Sequence, residues 1–380
     1  RMSERNDDEH NDEKEKAFSG VTYSHTVPAF TRPSYVYVLP AIFMFFLVVF
    51  GLFPLTSQVH IRQVCHDLNE DDCESSRVSA NASTLNLIAA FALSIPSIFT
   101  CGIYGSVADV YGRKIVMIIP FLGLMIYSLC YLYVDTYDPP SYVGIIIAGN
   151  FMMGMSGGYF TFIMSCMCYT SDATVLVPHT RKSVYSVTEA TIFIPEVFGP
   201  VLTGLWATYF GFFVPLLLGV IVSGIAIVYV YFLPESLPPD APSRSQPLKL
   251  SPFQTFTSIM FLFTYRFSEP QDEAALRTAP TSEGTEPKTE QSPLPSLGGS
   301  FFIFLMAALG QPSVRIVYVT HRFGWNSSII GIYDGMEGLV VSLSMLFAPY
   351  VVHRLMSHKS PVKIMTWIQV GFAFRSVLRF

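Results

Sequence analysis

On either side of Gly105-Ser106-Val107-Ala108-Asp109-Val110-Tyr111-Gly112-Arg113-Lys114 stand about twenty residues without a Lys, Arg, Asp or Glu, enough to cross a bilayer as a helix. The charged, glycine-punctuated stretch between them is expected to be a tight loop joining two membrane helices. Such runs recur along the chain. With 51% of residues hydrophobic and 13% charged, 380 residues are too apolar for a soluble globule with an ordinary surface. Lipid offers backbone groups no partner, and the runs are long rather than alternating with period two, so the spans must be helices and not barrel strands. The expected fold class is all-α, a polytopic helical membrane bundle.

Hydropathy predicts nine spans, at roughly 36–57, 85–105, 115–134, 141–167, 184–207, 212–233, 298–320, 327–350 and 364–380. Residues 1–34 are rich in Asp, Glu, Lys and Asn and carry no apolar signal-peptide core, so an acidic cytosolic tail without a cleavable leader is expected. Residues 35–236 form a first bundle of six helices. Residues 237–296 hold ten prolines among Ser, Glu, Thr and Lys, which reads as a cytosolic linker. Within it, 252–264 is apolar but half a span long, and is expected to be an interfacial helix. Residues 297–380 supply three helices of a second, partial bundle.

Basic residues in the short loops set the orientation. Arg113, Lys114, Arg181, Lys182, Arg354, Lys359 and Lys363 fall on one side, against Arg62, Arg77 and Arg322 on the other, so the first side is cytoplasmic. The segment 58–84 is then extracytoplasmic, where Cys65 and Cys73 are candidates for a disulfide, the alternatives being free thiols or pairing with another cysteine on that side. It also holds the sequon Asn81-Ala82-Ser83, a glycosylation candidate close to the next span. A second sequon, Asn326-Ser327-Ser328, lies at a helix mouth beside Trp325 and is expected to be silent. Cys101, Cys130, Cys166 and Cys168 lie in or beside spans and read as small hydrophobes.

Six helices, a long linker and further helices, with Gly-x-x-x-Asp-x-x-Gly-Arg-Lys between the second and third, resemble the major facilitator superfamily of secondary transporters. Gly105, Ala108, Asp109, Gly112, Arg113 and Lys114 agree with that family's loop signature; Val107 and Val110 depart from it. Leu233-Pro234-Glu235-Ser236 resembles an ending many facilitators carry after the sixth helix. Ser171-Asp172-Ala173-Thr174, Arg181-Lys182 and Glu189-Ala190 look like the branch containing the proton-coupled folate transporter and the thymic stromal cotransporter. The fourth span, Gly149 to Gly158, lacks the arginine many drug antiporters place there, whereas Glu196 to Gly204 loosely resembles their Gly-Pro element. The resemblance implies proton-coupled symport of a small organic solute, an anion in the folate-like reading, by alternating access. The alternatives are a proton-coupled antiporter or exporter, and a non-transporting receptor or scaffold on a transporter fold. It also implies twelve spans, so with nine the chain is expected to be incomplete at its C-terminus.

The resemblance further implies an inner gate formed by Gly105, Asp109, Gly112, Arg113, Lys114 and Asp172, with Arg113 pairing to Asp109 or Asp172. The alternative is a topology signal that only fixes orientation. Ionisable residues inside spans cost about 2.5–3.5 kcal/mol each and are rarely idle. Glu189 and Glu196 lie two turns apart on one face of the fifth span, and Asp334 and Glu337 share a face of the eighth. A carboxylate with little water around it holds a proton more readily, so Glu189, and after it Glu196, are candidates for proton coupling; each could instead make a structural hydrogen bond or ion pair. Arg315 could attract an anionic substrate or pair with Asp334 or Glu337.

No nucleotide loop, metal-ligand cluster or nucleophile arrangement stands in the sequence. An ion gradient is therefore the expected energy source, with no catalysis, cofactor, metal or nucleic acid involved; the expected partners are a small-molecule substrate, protons and the lipid bilayer. The plasma membrane is the expected location ahead of a vacuolar or lysosomal one.

Overall fold

The computed structural model describes residues 34–70, 72, 73, 75–174, 181–237 and 315–356. The expected tail, the linker from 238 with its segment 252–264, the start of the seventh span and the ninth span with Arg375 and Arg379 lie outside the described residues. Among those described, all regular structure is helical. A short 3-10 turn, Tyr35–Tyr37, leads into α1 (Leu39–Asp67), followed by α2 (Ser76–Tyr111), α3 (Arg113–Tyr137), α4 (Tyr142–Met155), α5 (Gly158–Ala173), α6 (Arg181–Phe210) and α7 (Phe213–Phe232). A helix over 315–323, α8, and α9 (Ser327–Met356) complete the described set. Six stretches are long and apolar enough to cross a membrane, α4 and α5 together making one of them.

Helix bounds depart from the hydropathy reading in three places. The loop expected over Gly105–Lys114 shrinks to one residue: α2 runs to Tyr111, α3 starts at Arg113, and only Gly112 lies between them, at φ 112°. The first helix does not end at 57 but continues to Asp67, so most of the expected loop 58–84 is helical. Gln58, His60 and Gln63 made that stretch look too polar to span, yet His60 and Gln63 are buried against neighbouring helices, where side-chain partners replace water. Ser75 caps the N-terminus of α2, its Oγ accepting the Val78 amide at 3.3 Å. The fourth span, expected as one helix, is interrupted at Ser156–Gly157, where Gly157 and Gly158 both take positive φ.

Apolar packing between α1, α3 and α5 centres on Phe45, whose ring stacks on Phe162 at 4.0 Å and meets Phe121 edge-on at 5.2 Å. Between helices in lipid there is little hydrophobic drive, so close backbone approach and hydrogen bonds matter more. Small residues supply both around α6, which lies between α1 and α9. At Gly199, an added methyl carbon would come within 2.9 Å of the Gly51 backbone nitrogen, and Thr203 Oγ1 donates to the Gly51 carbonyl at 2.9 Å. On the α9 side, a carbon added to Gly204 would stand 3.1 Å from Gly331 Cα and overlap the Ser327 carbonyl oxygen. Ser342 Oγ donates to the Phe193 carbonyl at 3.1 Å farther along the same antiparallel pair.

Gly204→Val should therefore force α6 and α9 apart and cost about 1–3 kcal/mol, the usual range for overpacking. Gly224→Val, on a face of α7 with nothing within 4 Å, should leave stability near wild type. Fluorescence-detected thermal unfolding of the detergent-solubilised protein measures the difference, and equal unfolding temperatures would contradict the packing described.

Candidate functional site

Two charged constellations occupy the bundle, the first of them at a position where the backbone could not otherwise be satisfied. At Gly112, α2 and α3 meet without a connecting loop, leaving the first amides of α3 with no helical partner. Glu235, beyond the end of α7, supplies it: one carboxylate oxygen accepts the Arg113 amide at 2.9 Å and the other the Lys114 amide at 3.3 Å. A negative charge at a helix N-terminus is also favourable to the helix dipole. Any side chain at 112 would overlap the Glu235 carboxylate, which, with the positive φ, requires glycine there. The Arg113 side chain turns the other way, its Nη1 donating to Asp109 at 2.6 Å and its Nε to Asp172 at 3.2 Å. Ser236 Oγ donates to the same Asp172 oxygen at 3.2 Å, so the segment after α7 is tied to the ends of α2 and α5. Lys114 lies over the Tyr231 ring at 5.1 Å. Gly105 stands about two turns before Gly112 along α2, 3.6 Å from the Met164 sulfur if it carried a methyl carbon, and takes no part in the charge network.

Arg113 is 12% exposed while Asp109 is 59% exposed. The inner pair with Asp172 is thus the one shielded from solvent, and the bond to Asp109 is screened. Sequence reasoning quoted Glu235 as part of a motif but gave it no task. The signal was available: an acid directly after one apolar run, and a helix start lacking any Ser, Thr or Asp to cap it.

The second constellation joins α6, α8 and α9. Arg315 donates to Asp334 at 2.5 Å and to Glu337, and its guanidinium lies 5.3 Å above the Tyr333 ring. Asp334 and Glu337 are one helical turn apart, which lets one planar guanidinium engage both. Of the two readings of Arg315, the geometry therefore realises the ion pair. Glu196 reaches this cluster from α6 because Gly338 leaves room for it: a carbon added at Gly338 would lie 2.9 Å from Glu196 Cγ. One Glu196 carboxylate oxygen, Oε2, is buried and has no hydrogen-bond partner among the described residues. Glu189, two turns away, sits at an exposed position of α6. Periodicity puts the two glutamates on one face, but only Glu196 is brought to the charged cluster.

A third polar group lies toward the opposite end from Gly112. Asn150 Nδ2 donates to the Tyr131 hydroxyl at 3.1 Å, and Tyr131 in turn bonds His60 Nε2 at 2.9 Å. Asn86 Oδ1 can only accept, so the His60 Nδ1 that bonds it carries the proton of the neutral ring, and Nε2 accepts the Tyr131 hydroxyl. One residue each from α1, α2, α3 and α4 is thereby linked. Nearby, Arg62 pairs with Asp135 at 2.7 Å and His66 with Asp138 at 2.9 Å. Cys65 and Cys73 are joined in a disulfide with Cα atoms 5.2 Å apart, bracing the short turn between α1 and α2. Asn81 is exposed but helical, in the second turn of α2 rather than on a loop, and Asn326 caps α9, its Oδ1 accepting the Ile329 amide at 3.0 Å. Among the described residues no group of three or more His, Cys, Asp or Glu could hold a metal ion.

This arrangement of helices occurs in other proteins. It is similar to the fold of the human organic anion transporter MFSD10 (TETRAN), with a TM-score of 0.55 at 15% identity over 93% of this chain and 84% of that one. The sequence is 23% identical to the MFS-type transporter avaJ of Aspergillus versicolor over 350 residues, 87% of this chain and 58% of that protein. It is 27% identical over 221 residues, 52% of this chain, to the human lysosomal proton-coupled steroid conjugate and bile acid symporter SLC46A3, of which the match covers 46%. The chain thus spans about half the length of the curated relatives it matches. The Major Facilitator Superfamily model matches residues 38–378; the chain belongs to that superfamily of multi-pass membrane transporters, not to an enzyme family.

Proposed function

We propose that this chain belongs to a secondary active transporter that moves a small organic solute by proton-coupled symport with alternating access, residues 35–236 forming one of its two halves. The single observation that carries the proton step is Glu196. Its Cγ and backbone pack against Gly338, its carboxylate lies within the charge influence of Glu337, Asp334 and Arg315, and one carboxylate oxygen is buried and unpartnered among the described residues. Three carboxylates here share one guanidinium, so the group as a whole is better accommodated with a proton bound than without one. Proton gain or loss at Glu196 changes the charge across the contact between α6 and α9, the contact that must slide or part for access to alternate. Proton coupling in the human relative supports the same reading, as does the similarity of Glu189-Ala190 to the folate-type pattern, although Glu189 is set apart from the cluster.

Arg113, clamped between Asp109 and Asp172 and anchored through Glu235, would hold the motif end closed. By the charge bias of the loops that end is cytoplasmic. Arg315 already has two carboxylate partners, so an anionic substrate would have to compete with Asp334 and Glu337 for it. A proton gradient of the required sense exists across a plasma membrane and across the membrane of an acidic organelle; the relative is lysosomal by name.

In vesicles carrying the full-length protein, uptake of a radiolabelled steroid sulfate or bile acid should rise several-fold when the outer solution is acidified. Glu196→Gln should flatten that dependence, while Glu189→Gln should keep most of it. Flux indifferent to pH in the unmodified protein would overturn the coupling, and acid-driven efflux instead of uptake would replace symport by antiport. Separately, Arg113→Ala should lower transport about tenfold, the effect of losing roughly 1.4 kcal/mol of gate stabilisation, without preventing delivery to the membrane. Arg113→Lys should fall between, since one ammonium cannot match the two-sided fork. Wild-type rates in both variants would exclude the gate.

A further inference from the structure

Arg315 is held by more than its two carboxylates. Its guanidinium lies 5.3 Å from the centre of the Tyr333 ring, while Asp334, the next residue along α9, and Glu337, one turn on, engage its nitrogens. A planar, delocalised cation is attracted to the negative face of an aromatic ring, so the ring is a third restraint on the guanidinium. Tyr333 is buttressed in turn. Its ring centre is 5.5 Å from that of Trp325, and Trp325 is 6.0 Å from Phe323, so a row of aromatic side chains from the turn between α8 and α9 stands behind the contact.

The restraint matters for what it withholds from Glu196. A carbon placed on Gly338, the residue after Glu337, would lie 2.9 Å from Glu196 Cγ, so Glu196 approaches α9 beside a carboxylate that Arg315 already engages. The charged groups whose fields reach it are Glu337 and Asp334 of α9 and Arg315 of α8. On α6 itself, Glu189 is two turns away at an exposed position. Of the other helices packed on α6, α1 carries no titratable side chain from Leu39 to Ser57, α7 has no Asp, Glu, Lys, Arg or His, and Asp172 of α5 is held by Arg113 and Ser236. Among the described residues, Arg315 is therefore the cation placed to neutralise Glu196, and it is engaged elsewhere. We propose that Tyr333, backed by Trp325, is a positioning residue for the proton step: it keeps Arg315 on Asp334 and Glu337 and off Glu196, so that Glu196 is neutralised by a proton rather than by the guanidinium. The inference rests on the proton-coupled reading of Glu196 above. A carboxylate paired with an arginine has no need of a proton, and a transporter in which that exchange were easy would run without one. A contact between a cation and a ring at a half-exposed site shifts such an exchange by a factor of about two to five.

The test pairs uptake of a radiolabelled steroid sulfate with thermal unfolding of the same full-length variants. In vesicles, Tyr333→Leu should lower the ratio of uptake at acidic to neutral outer pH about two- to fivefold, by raising flux at neutral pH, and Tyr333→Phe should keep the wild-type ratio. In detergent at neutral pH, Glu196→Gln should raise the unfolding temperature by about 2 °C, because it removes a buried carboxylate that no cation engages. With Tyr333→Leu in place, no more than half of that gain should remain, since Arg315 is then free to pair with Glu196. Loss of transport at every pH with the ratio unchanged makes Tyr333 a structural residue only and overturns the proposal. So does a Tyr333→Phe variant that behaves like Tyr333→Leu, because the ring face would then not be what holds Arg315. Uptake indifferent to pH in the unmodified protein removes the coupling reading instead. The unfolding cycle needs no transport, and a gain untouched by Tyr333→Leu overturns the clamp by itself.

Discussion

The Glu235 carboxylate accepting the Arg113 and Lys114 amides shows the constraint under which the whole bundle is built. Hydrocarbon offers a peptide group no partner, so wherever a helix stops or breaks, a side chain from elsewhere must complete it. At Gly112 the partner arrives from beyond α7, which draws the end of the first six spans onto the junction of the second and third. The same side chains that satisfy the backbone bring Arg113, Asp109, Asp172 and Ser236 into one network. The network proposed as a gate and the cap of α3 are here a single structure.

The interruption of the fourth span obeys the same rule at its carbonyl edge. Hydroxyls of α2 close the carbonyl edge, Ser97, Thr100 and Tyr104 lying along one stretch of that helix. The His60, Tyr131, Asn150 and Asn86 chain links spans in the same manner, tying α1 through α4 together. Set between these rigid regions, α6 carries Glu196 and two prolines, Pro195 and Pro200. It is packed by glycine contacts to α1 on one side and α9 on the other, the geometry a helix needs if a change of charge at one residue is to be felt by both neighbours.

Much of this was legible without coordinates. Long uncharged runs dictate membrane helices whatever they pack against, because the bilayer and not the neighbour sets their length. The Gly105–Lys114 signature led to the superfamily, and the residue types of Arg113, Asp109 and Asp172 made their pairing foreseeable. Helix ends were the weak point. The reading placed a loop at Gly105–Lys114 and an end at residue 57, because it equated charge and polarity with water; His60 and Gln63 are polar yet buried, and Asp109 is charged yet helical. Buried polar residues satisfied by partners far along the chain look, in a hydropathy window, the same as residues facing solvent.

What the sequence by itself determined is therefore the class of structure, the superfamily, and the residues with charge to contribute. Tertiary structure decided which of them act together. It placed Glu196 against Gly338 and left Glu189 at an exposed position, although both share one face of an ideal helix. It gave Arg315 two carboxylates at once, turned Glu235 into the cap of α3, and opened the fourth span at Gly157. Each of these depends on which helix lies alongside, through contacts between residues tens to hundreds of positions apart, and a one-dimensional pattern carries no record of its neighbours in space.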